Sequence, residues 1–131
     1  MSNDCPFCGV DESQVVFRDE LVFAIWDRYP VSDGHLLIVT NRHFADWFEA
    51  SEAEQRAVIH ALDRGRNIIR DRHSTDGFNI GINVGEAAGQ TIRHLHVHLN
   101  PRLDGDVLDP RGGVRHVIPS RGNYLKSRPA G

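Results

Sequence analysis

Gly89-Gln-Thr-Ile-Arg-His-Leu-His-Val-His-Leu-Asn-Pro101 carries three of the chain's eight histidines, at positions 94, 96 and 98, with the apolar Leu95, Val97 and Leu99 between and after them. Such alternation marks a half-buried β-strand, whose side chains point to opposite faces in turn. All three imidazoles then share one face. On a helix, His94 and His98 would meet while His96 swung away from both. The strand reading therefore gathers the three rings into a site, and the remaining chain is read for what packs beside and behind that strand.

Working outward, Phe78-Asn-Ile-Gly-Ile-Asn-Val84 also alternates, with Phe78, Ile80, Ile82 and Val84 on one face. The small-residue loop Gly85-Glu-Ala-Ala-Gly-Gln90 joins it to the histidine strand, so the two are expected to pair as neighbours. Upstream lies a helix signal. Ser51 is placed to cap the N–H of Glu54 while the Glu54 carboxylate reaches back, a capping box. Ala57, Val58, Ala61, Leu62, Gly65, Ile68 and Ile69 then form one apolar stripe, suited to packing on a sheet. Further upstream, Gln14–Arg18 and Leu21–Trp26 read as a hairpin turning at Asp19-Glu20, and His35–Thr40 as a third, more buried strand. The segment between 27 and 34 reads as a loop punctuated by Pro30 and Gly34, and Asn41–Phe48 as a short helical turn or irregular segment. Strands, one long helix, then strands predict an α+β fold: an antiparallel sheet of about five strands carrying the long helix and a short one.

The 131 residues suffice for one domain. The expected division is a domain over residues 1–105 and an extension over 106–131, polar and glycine-rich at first, that is not a second domain. A net charge of −3, from 15 basic and 18 acidic residues, offers no basic field for a nucleic-acid duplex and no polybasic membrane anchor. No apolar run is long enough to span a bilayer, and the first residues lack the pattern of a signal peptide, which points to a cytoplasmic protein. Cys5 and Cys8 are the only two cysteines. In a reducing compartment their spacing indicates metal or redox chemistry.

Imidazole changes charge near neutral pH, so a cluster of three offers both a neutral nucleophile and a protonated partner. Alternate strand residues lie about 6–7 Å apart. Gln90, Thr91 and the N–H groups of a loop containing Gly85 and Gly89 suit an anion, and phosphate fits this set better than a carbon electrophile does. Two alternatives stand beside that reading: a metal held by all three histidines, and a structural strand that happens to expose them. His60 and His73 recur with no titratable partner at ligand spacing and read as helix-face or helix-end residues.

The residues around Gly34-His35-Leu-Leu-Ile-Val39, Asn83, Gly89-Gln-Thr91 and His94-Leu-His-Val-His-Leu-Asn100 resemble the histidine triad (HIT) superfamily, whose motif is His-φ-His-φ-His-φ-φ with φ apolar. The chain departs from it only at Asn100. The resemblance covers about residues 5 to 105 and lies nearest the fragile-histidine-triad branch of dinucleoside polyphosphate hydrolases. It implies that His96 is the nucleophile at the α-phosphorus, that His98 binds the phosphate and assists the leaving group, and that His35 and His94 support them. It further implies that Gln90, Asn83 and Thr91 contact phosphate or ribose, that Asp27 accepts the ribose hydroxyls, and that Phe23, Ile25 and the start of the chain wall the base.

By the same resemblance, Cys5, Cys8, His43 and His94 look like the zinc site of many bacterial members, against free thiols or a transient disulfide. A closed tetrahedral set of that kind is structural. The fragile-histidine-triad branch usually lacks the cysteine pair, so the chain mixes features of two branches. No catalytic metal is expected, although magnesium can accompany the substrate, and a homodimer is implied. The implied activity is hydrolysis of a nucleotide through a nucleotidyl-histidine intermediate. Alternatives are a phosphoramidase, a nucleotidyltransferase or phosphorylase, and a nucleotide-binding protein with incidental hydrolysis. Arg111 and Arg115 either reach distal phosphates or a partner subunit, or lie in a solvated glycine loop.

Overall fold

A computed structural model describes residues 4–125. Its strands are β1 (Val15–Arg18), β2 (Val22–Trp26), β3 (Leu36–Thr40), β4 (Gly77–Gly81) and β5 (His96–Arg102), and α1 (Glu52–Arg72) is its one α-helix among the described residues. All pairings are antiparallel, in the order β1-β2-β3-β5-β4. This is the expected α+β fold. The short helix expected within 41–48 appears as a single 3-10 turn, Trp47–Glu49, capped by Asp46. The segment predicted as a strand to Val84 stops pairing at Gly81, opposite His98.

The helix begins where its chemistry predicts. The Ser51 hydroxyl accepts from the Glu54 N–H at 3.0 Å, and the Glu54 carboxylate accepts from the Ser51 N–H at 2.9 Å. Glu54 does more than cap. Buried to 3% exposure, it takes a two-pronged pair from Arg42, which ties the helix start to the segment carrying His43. Residues Val58, Ala61, Gly65 and Ile69 of the predicted stripe are buried against Leu36, Ile38, Val97 and Leu99. The opposite face of the sheet holds a second cluster: Phe7 folds over Phe23, Ile25, Leu37 and Val39.

Gly65 sets the separation of helix and sheet. A Cβ there would lie 2.7 Å from Leu36 Cδ2 and 3.2 Å from Leu99 Cδ2, both side chains buried and without room to retreat. Overpacking costs about 1–3 kcal/mol, and alanine's better helix propensity returns at most about 1 kcal/mol. Gly65→Ala is therefore expected to lower stability by about 1 kcal/mol, read as a lower urea midpoint; an unchanged or raised midpoint would show that the sheet yields.

The extension forms two further 3-10 turns, Gly113–Val117 and Pro119–Arg121, and its residues beyond 125 lie outside the described part. Arg111 pairs with Asp109, and the Arg115 guanidinium bonds the carbonyls of Arg121 and Gly122 while lying over the Tyr124 ring. Both arginines are thus held within the extension. No helix among the described residues is long and apolar enough to cross a membrane.

Candidate functional site

β5 begins at His96, so His94 and Leu95 precede the strand rather than belonging to it. Phe7 nonetheless stacks edge-on against both His94 and His96, at 5.8 and 4.9 Å between ring centres, so these rings share the side the alternation predicts. His98 follows on that face, its ring centre 5.2 Å from that of His96. The residue just before β3, His35, comes alongside, with its Nε2 2.9 Å from His98 Nδ1.

The hydrogen bonds determine which nitrogen of each ring carries a proton, because a neutral imidazole has one N–H and one lone pair. His96 Nδ1 faces the His94 carbonyl at 2.8 Å and must donate, which leaves its Nε2 lone pair free. His94 Nε2 faces the Thr40 carbonyl at 2.6 Å and must donate, which frees its Nδ1. The Val31 N–H donates to His35 Nδ1 at 3.2 Å, so the His35 proton sits on Nε2, shared between His98 Nδ1 and Asp27 Oδ2 at 3.3 Å. His98 Nδ1 then accepts, and its Nε2 is left as an N–H donor. The face thus presents one nucleophilic nitrogen and one hydrogen-bond donor on adjacent rings.

Burial lowers the pKa of His94, His96 and His35 from the usual 6.5 and brings that of His98 down to about 4, the His96 and His35 rings adding to the last of these. The rings are therefore neutral at pH 7, as a nucleophile requires. For stability the sign is fixed by proton counting: between about pH 6.5 and 4 the unfolded chain binds a proton at His98 that the folded chain refuses. The contribution is fully present above about 6.5 and lost as pH falls through that window. The urea midpoint is expected to drop from about pH 7 to about pH 5, and His98→Asn should flatten the drop.

Two clusters offer converging metal donors, and the tautomers separate them. Asp27, His35 and His98 form a hydrogen-bonded chain: a cation at His35 Nε2 would need a proton on the Nδ1 that accepts from Val31. Cys5, Cys8, His43 and His94 are different. Cys5 Sγ and Cys8 Sγ lie 3.3 and 3.5 Å from the free His94 Nδ1, and His43 Nδ1 lies 3.2 Å from Cys8 Sγ and 3.1 Å from His94 Nδ1. Tetrahedral zinc with bonds of about 2.0–2.3 Å sets such edges at roughly 3.3–3.8 Å. The donors fit a closed Cys₂His₂ zinc site, tightened by a few tenths of an ångström. The Cys8 N–H points at Cys5 Sγ at 3.4 Å, as suits a thiolate. Desolvation and the neighbouring Cys5 sulfur push the Cys8 thiol pKa up, a cost that a cation between the sulfurs reverses.

The remaining expected residues divide. Asp27 lies at the rim, with Oδ1 accepting from the Tyr29 N–H and Oδ2 beside His35, a contact not foreseen from the sequence. Asn83 follows the end of β4, and Thr91 is exposed ahead of the triad. Gln90 is engaged by the backbone around it. It is 5% exposed, its Nε2 hydrogens go to the Ala45 and Ile92 carbonyls, and its Oε1 accepts from the Gly85 N–H. The amide braces three backbone segments and has no hydrogen left for phosphate. Phe23, at 2% exposure, and Ile25, at 9%, both belong to the second core, with Ile25 the nearer to the surface. Residues 1–3, the other expected wall, lie outside the described part.

This arrangement matches a known domain. Residues 9–105 match the HIT domain. The chain belongs to the HIT family. It is 33% identical over 104 residues to an AP-4-A phosphorylase of Mycobacterium tuberculosis, covering 79% of this chain and 53% of that one. An adenylylsulfatase of Arabidopsis thaliana is 32% identical over 112 residues, or 82% of this chain and 57% of the relative. The chain thus spans little more than half the length of these relatives. A Zn-bound histidine triad family protein from Mycobacterium smegmatis superimposes with a TM-score of 0.72 at 31% identity, over 81% of this chain and 80% of that structure.

Proposed function

We propose that this HIT protein cleaves a nucleotide at its α-phosphate through a covalent nucleotidyl-His96 intermediate, with dinucleoside polyphosphates as the substrate class. The observation that carries the reading is the pairing of a free His96 Nε2 lone pair with an available His98 Nε2–H on one strand face. In the first step the lone pair forms a P–N bond, the bond from phosphorus to the leaving oxygen breaks, and that oxygen departs as the terminal phosphate anion of the leaving nucleotide while the His98 Nε2–H hydrogen-bonds to it. In the second step a water attacks phosphorus, the P–N bond breaks with its electron pair returning to His96 Nε2, and the water's proton passes to solvent. Catalysis on such a centre is mostly position and charge.

Asp27 is assigned to the ribose hydroxyls, Asn83 and Thr91 to the phosphate edge, and Ile25 to the base. Zinc on Cys5, Cys8, His43 and His94 is structural: it fixes the His94 ring, whose carbonyl orients His96. Magnesium, where present, arrives with the polyphosphate. We assign the catalytic domain to residues up to 105 and the rest to a C-terminal extension. The chain is placed in the cytoplasm as a homodimer, for which the exposed Ile80 on the edge strand β4 and Ile59 on α1 offer apolar surface.

A phosphorylase is the second reading, favoured by the tuberculosis relative's name; phosphate then replaces water in the second step. Incubation with diadenosine tetraphosphate or adenosine phosphoramidate, with and without inorganic phosphate, followed by product chromatography, separates the readings. AMP from the tetraphosphate supports hydrolysis, and phosphate-dependent ADP supports the phosphorylase. Nucleotide binding without turnover of either substrate overturns both.

A further inference from the structure

Three of the four metal donors are secured by contacts outside the site. His94 is fully buried, with Nε2 on the carbonyl of Thr40, the last residue of β3. Cys5 and Cys8 stand either side of Phe7, whose ring is anchored in the second core. His43 is different. It is exposed, and the hydrogen-bonding contacts of its ring among the described residues are with Cys8 and His94, the donors it must meet. It also stands in the segment 41–46, which is neither strand nor helix, so its place depends on its neighbours. Phe44 is 8% exposed, and its carbonyl accepts from the Leu95 N–H at 2.6 Å. On the other side, Arg42 is pinned. Its Nη2 and Nε donate to the two Glu54 carboxylate oxygens at 2.8 and 3.2 Å, Nη2 also donates to the Glu49 carbonyl at 3.3 Å, and the guanidinium lies 4.1 Å over the Phe44 ring. The Thr40 hydroxyl donates to the Arg42 carbonyl at 2.9 Å.

We propose that Arg42 and Glu54 are positioning residues of the metal site: their pair ties the backbone just before His43 to the start of α1, so that the His43 ring meets His94 and the two sulfurs. Capping does not account for the pair. A helix start uses one Glu54 oxygen, at the Ser51 N–H, while the other, Oε2, takes the Arg42 Nε. A two-pronged guanidinium–carboxylate pair fixes direction as well as charge, which lysine, a point charge, does not reproduce. The Arg42 side chain is 57% exposed, so loosening its grip leaves the core intact and acts on the segment it holds. Groups that orient metal ligands set affinity by about 10–100-fold; here the lever is the backbone of the ligand rather than a bond to its ring. The inference rests on reading the four donors as a zinc site.

The test uses the full chain and reads metal binding directly, by zinc competition with a chromophoric chelator and by the visible spectrum of the cobalt(II)-loaded protein. Arg42→Lys and Glu54→Gln, the latter able to keep the capping box, are expected to weaken zinc binding about tenfold and to dim the tetrahedral cobalt bands as His43 gives way to water. Glu52→Gln, which breaks the exposed pair with Arg56 on the same helix, should change neither. In a His43→Ala chain, already weakened, Arg42→Lys should add no further loss, because the route through His43 is gone. Undiminished affinity in either variant, or an equal loss in the His43→Ala background, overturns the inference while leaving the zinc site in place. A parent chain that takes up neither zinc nor cobalt removes the site and the inference together.

Discussion

Replacing His96 with alanine is expected to lower kcat on a dinucleoside polyphosphate by on the order of 10⁴-fold or more, as loss of a covalent nucleophile does elsewhere, while nucleotide affinity changes little. The reason is that no neighbouring ring can substitute. His98 has its Nδ1 lone pair on His35 and its proton on Nε2, and His94 is fully buried with Nε2 on the Thr40 carbonyl. On the proposed assignment Asp27, which is bonded to Tyr29 and His35 rather than to His96, would still accept the ribose hydroxyls. A variant that turns over normally would remove the proposed mechanism, and isolation of acid-labile label on the parent chain but not on the variant would support it. Phe7 loses one edge-on contact at 4.9 Å, so only a modest drop in stability accompanies the change.

The features legible in the sequence are those set by local periodicity or by contacts a few residues apart. The Ser51–Glu54 box, the α1 stripe and the side on which His96 and His98 lie all follow from spacings of two to four. What stayed hidden depends on partners far along the chain. Gln90 meets Ala45 across 45 positions, and no spacing showed it; His94 meets Cys5 across 89 and His35 meets His98 across 63, neighbours that only the family resemblance implied. A glutamine beside a glycine loop looks like a phosphate ligand until its three partners are known. Alternation likewise placed His94 on the triad side but could not show that the strand starts after it, with its ring turned to the sulfurs. Asn100 was visible as the one break in the motif. That β3 pairs with β5 only as far as Leu99, leaving Asn100 opposite Asn79 of β4 alone, is a fact of register rather than of composition.

Removal of zinc is expected to loosen the N-terminal segment before the sheet. Residues Cys5 to Val10 are joined to the body mainly by Phe7, 6% exposed against Phe23, Ile25, Leu37 and Val39, and by the four metal donors. With the ion bound, its charge balances two thiolates and two neutral imidazoles complete the set; without it, Cys8 returns to a protonated thiol and the converging donors lose their common partner. A ligand at about a thousand times its Kd stabilises the folded state by about 4 kcal/mol, and a chelator withdraws that contribution. The core beneath the helix contains none of the four donors, so the chain should stay folded with a lower midpoint rather than collapse as an isolated zinc finger does. Hydrogen exchange should quicken first around residues 5–10 and 92–96, because the His94 ring then keeps only its bond to Thr40. Turnover should fall with it, since the His94 carbonyl that orients His96 Nδ1 loses its anchor. Elemental analysis is expected to give one zinc per chain, and Cys8→Ser should reproduce the chelator's effect. A metal-free chain with an unchanged midpoint would show that Phe7 alone holds the segment and that the four donors converge without need of an ion.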